Sequence, residues 1–198
     1  AYSDDAGDTW AQAEVPISSM LTSINFADDF NGWAVGHGGV VLHSQDQGMT
    51  WQEQLNGNQI NKMLMDVAQQ NLKLAQSEYQ QAEDEDEKED LLYGVEDAEF
   101  ALSNAEFDSD IGPTNPFLDV WFKDLKTGYA VGAYGLFLMT NDGGDSWRSV
   151  AHRLENFDRY HLNSIKGIKG GVMLIVGEAG TMFSSSDQGE SWETLYGP

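Results

Sequence analysis

The sequence predicts an all-β protein made of β-propeller blades, with one inserted α-helical hairpin. An octet of pattern hydroxyl-x-Asp-x-Gly-x-hydroxyl-Trp occurs four times, starting at residues 3, 44, 140 and 185. An apolar run with a Gly-x-x-Gly turn precedes each of the last three octets. The starting positions are 41, 96 and 45 residues apart. The two short spacings match four-stranded blades, and the long one leaves about 50 residues for an insertion.

Each residue type in the octet has a mechanical role. The Asp carboxylate braces the turn by accepting backbone N–H groups, Gly supplies positive φ, and Trp offers a large apolar face. Four equivalent copies favour this structural role over catalysis or calcium binding. The residues expected to fill it are Asp5, Trp10, Asp46, Gly48, Trp51, Asp142, Gly144, Trp147, Asp187, Gly189 and Trp192.

Each full unit is expected to be a meander of four antiparallel strands, a to d, because short alternating β-branched and aromatic runs lie between turns. In the first unit the expected strands cover about 21–27, 33–36, 40–44 and 50–55. The three units span about 17–56, 113–154 and 157–196, after a leftover octet and d strand at 3–16. Propellers usually close with four to eight blades. We therefore expect a piece of a longer propeller, or an oligomer in which a second copy completes it.

The segment between the second and third octets has a helical period instead. Apolar residues recur at helical spacing on both sides of an acidic run at 83–90. This pattern predicts a helical hairpin with the acidic run at or near its turn; one continuous helix is the alternative. The predicted domains are thus blades at 1–57, the hairpin at 58–112 and blades at 113–198. The helical residues are Ile60, Met63, Leu64, Val67, Leu74, Ala75, Ala82, Leu91, Leu92, Val95, Ala98, Leu102 and Ala105.

Composition narrows the classes of partner and cofactor. The net charge of −23 argues against nucleic acid and anionic membrane surfaces. Without cysteine there is no disulfide, thiolate metal site or thiol nucleophile. No apolar run is long enough to span a membrane, and the four His lack zinc-ligand spacing. No cofactor is expected. A weak calcium contact in the run from Asp108 to Pro113 remains open, although Pro113 stands where an EF-hand needs Gly.

Strand parity selects a candidate partner-binding face. In an up-down meander the b–c turns and the d-to-a connections share one face, and the octets lie on the other. The hairpin follows a strand d and precedes a strand a, so it belongs with the b–c turns. The acidic run is either a solvated tip or a docking surface for a basic partner. The candidate residues of this face are His37, Tyr134, Glu178, Glu83, Asp84, Glu85, Asp86 and Glu87.

The repeats resemble a known family. The octets are similar to Asp-box (BNR) repeats, and Gly-Trp-Ala-Val-Gly-x-x-Gly before them resembles the photosystem II stability/assembly factor family. The segments 115–122, 132–135, 154–156 with 161–163, and 177–180 look most like its bacterial branch outside photosynthetic organisms. The resemblance implies a seven-bladed propeller in an exported, usually periplasmic or lumenal protein whose targeting segment is not in this chain. It also implies a non-catalytic role in assembling membrane-protein complexes, often transporters.

Two other functions are compatible with Asp boxes: a sialidase-like glycoside hydrolase and a glycan-binding propeller without turnover. A sialidase needs three Arg from different blades to hold a carboxylate. Here Arg148, Arg153 and Arg159 lie within one inter-blade stretch. Tyr134 and Glu178 are the residues that a hydrolase would use as nucleophilic partners. We therefore expect a non-enzymatic scaffold that binds a protein partner, such as a transporter or another membrane-protein complex.

Overall fold

Alternating apolar residues, cut at regular intervals by glycine turns, form three four-stranded antiparallel sheets. The structure is a computed structural model that describes residues 1–168 and 170–196. It divides into two compact units, Ala1–Asn56 with Asn115–Pro198, and Gly57–Thr114.

The strands follow one another in space as they do along the chain, in the orders β1-β2-β3-β4, β5-β6-β7-β8 and β9-β10-β11-β12. The three sheets confirm the expected blades. Their bounds are β1 Leu21–Phe26, β2 Gly32–Gly36, β3 Val41–Ser44, β4 Gln52–Leu55, β5 Phe117–Phe122, β6 Gly128–Gly132, β7 Phe137–Thr140, β8 Arg148–Ser149, β9 Leu162–Gly167, β10 Met173–Gly177, β11 Met182–Ser185 and β12 Glu193–Thr194. The helices are α1 Gly57–Gln81 and α2 Glu85–Ile111.

The leftover d strand expected at 3–16 does not form. After the first octet only one antiparallel bridge, Tyr2 to Ala11, occupies the place of the c–d ladder. A strand needs a neighbour along its length, and Tyr2 pairs with this segment at Ala11 only. Glu14 instead makes a parallel bridge to Thr50, so the segment runs beside the octet of the first sheet.

Aromatic stacking joins the first and second sheets. The Trp33 ring of β2 stacks on Phe122 of β5 with centroids 3.6 Å apart and planes 9° apart. Its indole N–H donates to Gln54 Oε1 and to the Gly143 carbonyl, both at 3.1 Å. A large ring therefore fills the space between the sheets without leaving its polar atom unpaired.

A continuous apolar core joins the second and third sheets. It takes residues from strands β6 and β7 on one side and from β9, β10 and β11 on the other, and Trp192 of the last octet closes it. Its members are Tyr129, Val131, Phe137, Met139, Val150, Leu154, Leu162, Ile165, Met173, Ile175, Phe183 and Trp192.

A buried carboxylate ties all three sheets together. Asp119 of β5 is 5% exposed. It accepts hydrogen bonds from Ser23 Oγ of β1 at 2.5 Å, and from Ser164 Oγ and the Ile165 N–H of β9 at 2.6 and 3.0 Å. Lys166 Nζ lies 3.2 Å away. Burial alone raises the pKa of Asp119, but these hydrogen bonds and the lysine charge outweigh it and hold the pKa below its ordinary value.

The insertion is a helical pair, which confirms the hairpin and excludes one continuous helix. The chain breaks after Gln81 and α2 begins at Glu85. The Asp84 carboxylate caps α2 by accepting the N–H groups of Asp86 and Glu87 at 2.9 and 3.2 Å. Acidic residues in a first turn also suit the positive end of the helix dipole. The run at 83–90 therefore specifies where the second helix starts.

The two helices are antiparallel, because Asn61 near the start of α1 donates to the Asp108 carbonyl near the end of α2 at 3.1 Å. The buried or half-buried apolar residues of α2 that face α1 recur at three- and four-residue intervals. They are Leu91, Val95, Ala98, Leu102 and Ala105. Three residues of the sequence pattern, Val67, Leu74 and Leu92, are instead exposed.

Replacing Gly94 by Ala should stabilise the helical unit by about 0.5–1 kcal/mol, because Gly is the weaker helix former and the added Cβ meets no atom within 4 Å. Urea unfolding followed by far-UV circular dichroism measures this. Gly132→Ala is the control: its Cβ would lie 2.4 Å from the Pro116 carbonyl oxygen, so it should destabilise. A loss of stability in Gly94→Ala would contradict the exposed helical setting.

Replacing Asp119 by Asn should cost about 2–3 kcal/mol of unfolding free energy at neutral pH, because four donors from the neighbouring sheets and the Val120 N–H lose a buried anion. The native pKa lies below the unfolded one, so the ionised group stabilises the fold above pH ~4 and loses this effect as the pH falls through the native pKa. Urea unfolding at pH 7 and in acid should show a smaller acid loss in Asp119→Asn than in the unsubstituted chain. The exposed substitution Asp4→Asn should leave the acid loss unchanged.

Candidate functional site

The Asp carboxylate at the third position of each octet accepts hydrogen bonds from its own turn. In the second octet Asp46 accepts the Thr50 N–H at 2.8 Å, the Thr50 hydroxyl at 2.6 Å and the Ser44 hydroxyl at 2.9 Å. The same three bonds recur at Asp5, Asp142 and Asp187. The hydroxyl four residues on makes the largest contribution, and the bonds lower the pKa of Asp5 and Asp142 to about 2.

Each octet turn needs two consecutive residues with positive φ, where the sequence pattern predicted one. Gly48 has φ 87° and the preceding Gln47 has φ 66°. The other three octets have the same pair of left-handed residues. Only Gly143 of the third octet supplies glycine at the first position, so the other turns hold a non-glycine residue in a strained conformation.

The b–c turns lie against the start of strand a of the same sheet. The N–H groups of His37, Ala133 and Glu178 donate to the carbonyls of residues 20, 116 and 161, each at 2.8–3.0 Å. A Cβ on Gly36 would lie 2.1 Å from the residue 20 carbonyl oxygen, so this close approach requires glycine. At the other end of the sheets, the a–b turn meets the octet, where the Gln47 N–H donates to the Phe30 carbonyl.

At the end of the sheets that carries the b–c turns, one cluster of side chains links the second and third sheets. The Tyr134 backbone N–H donates to His161 Nδ1 at 3.0 Å, and the two rings pack edge to face with centroids 4.9 Å apart. The Glu178 carboxylate accepts the His161 N–H at 3.3 Å. Arg159 Nε donates to the Tyr134 carbonyl at 3.3 Å. We call Tyr134, Arg159, His161 and Glu178 the turn cluster.

Each hydrogen bond of the turn cluster joins a side chain to a backbone group, and the side chains remain accessible. Tyr134 is 54% exposed, and the side chains of His161 and Glu178 are 39% and 54% exposed. Tyr134 has φ 54°, so its backbone adopts a left-handed conformation that L-residues rarely adopt. Backbone strain of this kind persists only where surrounding contacts fix it. The cluster therefore presents an aromatic ring, an imidazole, a guanidinium and a carboxylate to solvent.

The structure brings Tyr134 and Glu178 together through His161, which sequence reasoning did not select. His161 stands one residue before strand β9, and the Gly-x-x-Gly pattern contains no signal for that position. His37 belongs to the b–c turn of the first sheet, and in the part of the chain that is described it is not a member of this cluster. The acidic residues 83–87 lie in the helical unit.

The three arginines do not converge on one ligand. Arg153 bonds the Gly189 carbonyl at 2.6 Å and Glu190 at 2.9 Å, next to the last octet. Arg148 contacts Met139 Sδ, and Arg159 bonds the Tyr134 turn. A carboxylate clamp of the sialidase kind requires all three on one anion.

The run from Asp108 to Pro113, where the sequence permits a weak calcium contact, is helical as far as Ile111. Helix α2 continues through Asp108 and Asp110 to Ile111, and the Asp108 carbonyl accepts the Gly112 N–H. Across residues 1–168 and 170–196, no group of three or more His, Asp or Glu side chains is arranged to hold a metal ion. Within the same residues, neither helix has the length and apolarity that a bilayer crossing requires.

Comparison with protein families identifies one match. The family model described as photosynthesis system II assembly factor YCF48 matches residues 3–83 and 101–196. Curated relatives include the photosystem II assembly lipoprotein Ycf48 of Synechococcus sp. (strain CC9902), 34% identical over 82 residues, 41% of this chain and 24% of that protein. The photosystem II stability/assembly factor HCF136, chloroplastic, of Cyanidioschyzon merolae (strain NIES-3377 / 10D) is 42% identical over 48 residues, 23% of this chain and 11% of that protein.

Two solved structures share the fold. One is described as YCF48 bound to D1 peptide and superposes with a TM-score of 0.55 at 18% identity, covering 91% of this chain and 42% of that one. YCF48 from Cyanidioschyzon merolae superposes with a TM-score of 0.56 at 18% identity, covering 94% and 40%. This chain thus spans about a quarter or less of the curated relatives it matches and about two fifths of the solved structures.

Calcium and its removal by EDTA should leave the thermal midpoint unchanged, because the octet carboxylates already accept hydroxyl and N–H donors. Thermal unfolding in CaCl2, MgCl2 and EDTA measures this. MgCl2 is the matched control, since any divalent cation screens a net charge of −23. A midpoint that rises with calcium concentration and not with magnesium would reveal a specific site.

Proposed function

The chain belongs to the photosynthesis system II assembly factor YCF48 family, and from this premise we propose that it is a non-catalytic scaffold that binds a protein partner from a membrane-protein complex. The observation that carries the proposal is the turn cluster, where Tyr134 and Glu178 stand exposed on either side of His161. Aromatic rings and arginine held on a rigid base are the groups that protein interfaces favour.

The chemistry of the two ends of the sheets supports binding at the turn cluster. At the octet end, the carboxylates of Asp5, Asp46, Asp142 and Asp187 already have donors inside their own turns. At the other end, the Tyr134 hydroxyl and the Arg159 terminal nitrogens make no hydrogen bond among the described residues. A partner would satisfy donors that the fold itself does not use.

The relatives support the class of partner. One curated relative is named an assembly lipoprotein, and one structural relative is described as bound to a D1 peptide. We infer that this chain likewise binds a peptide segment of a membrane protein, and that it works in the periplasm or another exported compartment. The resemblance of segments 115–122 and 177–180 to the bacterial branch supports a transporter complex as the client.

The sequence also predicted His37 and the acidic residues Glu83, Asp84, Glu85, Asp86 and Glu87 as partner-binding residues. The helical pair is inserted between a strand d and a strand a, the same kind of connection that carries His161 between the next two sheets. We propose that its acidic turn contributes to partner binding by attracting basic surfaces.

Exposed apolar residues on the first and third sheets support the presence of further blades. Ile24 of the first sheet is 56% exposed, whereas Val120 and Ile165 at the same position of the other sheets are 0% exposed. On the last sheet Val176 is 37% exposed, against 0% for Val131. We propose that additional blades of a seven-bladed propeller, or a second copy of this chain, cover these apolar faces.

Replacing Tyr134 by Ala should weaken partner capture about tenfold, because a central interface aromatic commonly contributes more than 1 kcal/mol. Pull-down from detergent-solubilised membranes of the source organism, quantified by mass spectrometry, measures the loss. Phe30→Ala is the matched control, since Phe30 is an equally exposed aromatic (55%) at the octet end.

Two outcomes would contradict the proposed function. Equal capture by Tyr134→Ala and the unsubstituted chain would exclude the turn cluster as the binding site. Hydrolysis of a sialoside or another glycoside, abolished by Glu178→Gln, would show an enzyme instead of a scaffold.

A further inference from the structure

Helix α2 has a second apolar face, opposite the one that packs on α1. Tyr93, Phe100 and Phe107 are spaced by seven residues, and Ile111 lies one turn further along. At about 100° per residue these four side chains point about 180° away from the residues that contact α1. We call them the aromatic ridge.

The aromatic ridge is open to solvent along its whole length. Tyr93, Phe100, Phe107 and Ile111 are 62%, 70%, 64% and 55% exposed. Single exposed apolar residues are ordinary on protein surfaces, but four in a line extend over about 27 Å of helix. Such a row on one face of a helix is typical of a surface that packs against another helix.

The residues beside the aromatic ridge are acidic. Helix α2 has eleven Asp and Glu residues and one basic residue, Lys88, which pairs with Glu85 at 3.2 Å. Glu89, Glu96 and Asp97 lie within one turn of Tyr93 or Phe100 on the same side of the helix. The ridge is therefore an apolar line between carboxylates.

The negative charge of α2 favours a basic partner over a second copy of the chain. A second copy would bring eleven more carboxylates against the first eleven, so pairing between two α2 helices is repulsive. Lysine and arginine on a partner would instead pair with Glu89, Glu96 and Asp97, and their ammonium or guanidinium groups also favour the faces of exposed aromatic rings.

We propose that the aromatic ridge binds a basic amphipathic helix of a partner protein. The apolar face of that helix packs on Phe100 and Phe107, and its flanking Lys and Arg residues pair with the carboxylates of α2. The inference rests on the proposed function in one respect, namely that the chain binds a protein. It adds a contact surface separate from the turn cluster, with its own partner chemistry.

Fluorescence anisotropy with the full chain and a labelled synthetic helix tests the inference. The probe peptide has Leu at heptad a and d positions and Lys or Arg elsewhere. One comparison peptide has Glu in place of the basic residues, and another has Ser in place of Leu. The probe should bind, both comparison peptides should bind at least about tenfold more weakly, and added salt should weaken the probe.

Variants of the chain locate the contact. Phe100→Gln with Phe107→Gln should weaken binding of the probe peptide at least about tenfold, since two interface aromatics are lost. Leu74→Gln, at a 60% exposed apolar residue of α1, is the matched control and should bind normally. Glu96→Gln with Asp97→Asn should weaken binding and reduce its salt dependence. Because these side chains are exposed, far-UV circular dichroism should show unchanged helix content.

Equal affinity of the ridge double variant and the unsubstituted chain would overturn the inference. So would equal binding of the Ser-containing peptide, which would show attraction by charge alone, or equal binding of the Glu-containing peptide. Tyr134→Ala should leave the affinity for the probe unchanged. If the probe peptide does not bind but capture of membrane proteins is normal and depends on Tyr134, only the ridge inference is overturned. If the probe peptide binds but capture does not depend on Tyr134, only the turn cluster is overturned.

Discussion

The three sheets depend on one carboxylate that is shared among their inner strands. Asp119 of β5, in the second sheet, accepts hydrogen bonds from β1 of the first sheet and from β9 of the third sheet. Apolar packing between sheets is non-directional and permits sliding, whereas four donors around one anion fix the position of each strand. The stacking of Trp33 on Phe122 is a second contact of defined geometry between the first and second sheets. Asp119 thus fixes the register of the blades, and the apolar core supplies most of the stabilisation.

Repeated residues and unrepeated residues have separate roles in this chain. The octet Asp, hydroxyl and Gly residues form the same hydrogen bonds four times, and these bonds leave the carboxylates with little capacity for other partners. The turn cluster instead consists of unrepeated residues. Tyr134, His161 and Glu178 stand at positions where the other blades have different residue types. A b–c turn can therefore accept new side chains while its glycines and backbone bonds are kept.

Local patterns predicted the blades well, since glycine turns and strand alternation act over a few residues. The helical pair was likewise predicted from its period. The position of the break required one further fact, that Asp84 caps α2. Asp119 was not recognised, because its donors Ser23 and Ser164 are 96 and 45 residues away. His161 lies in an irregular connection without a pattern. The ridge was missed because the apolar residues of α2 were read as one face, although Tyr93, Phe100 and Phe107 have their own seven-residue period.

The closed hydrogen-bond set of the octet also bears on the order of folding. Each set spans eight residues, and loops of about this length close in about 10–100 ns. The Asp119 contacts must wait for strands that are tens of residues apart, and that closure carries the larger entropic cost. We therefore expect each c–d hairpin to form early and the docking of one blade on the next to follow later. Folding of such a chain should proceed blade by blade, with the helical pair as a separate local unit.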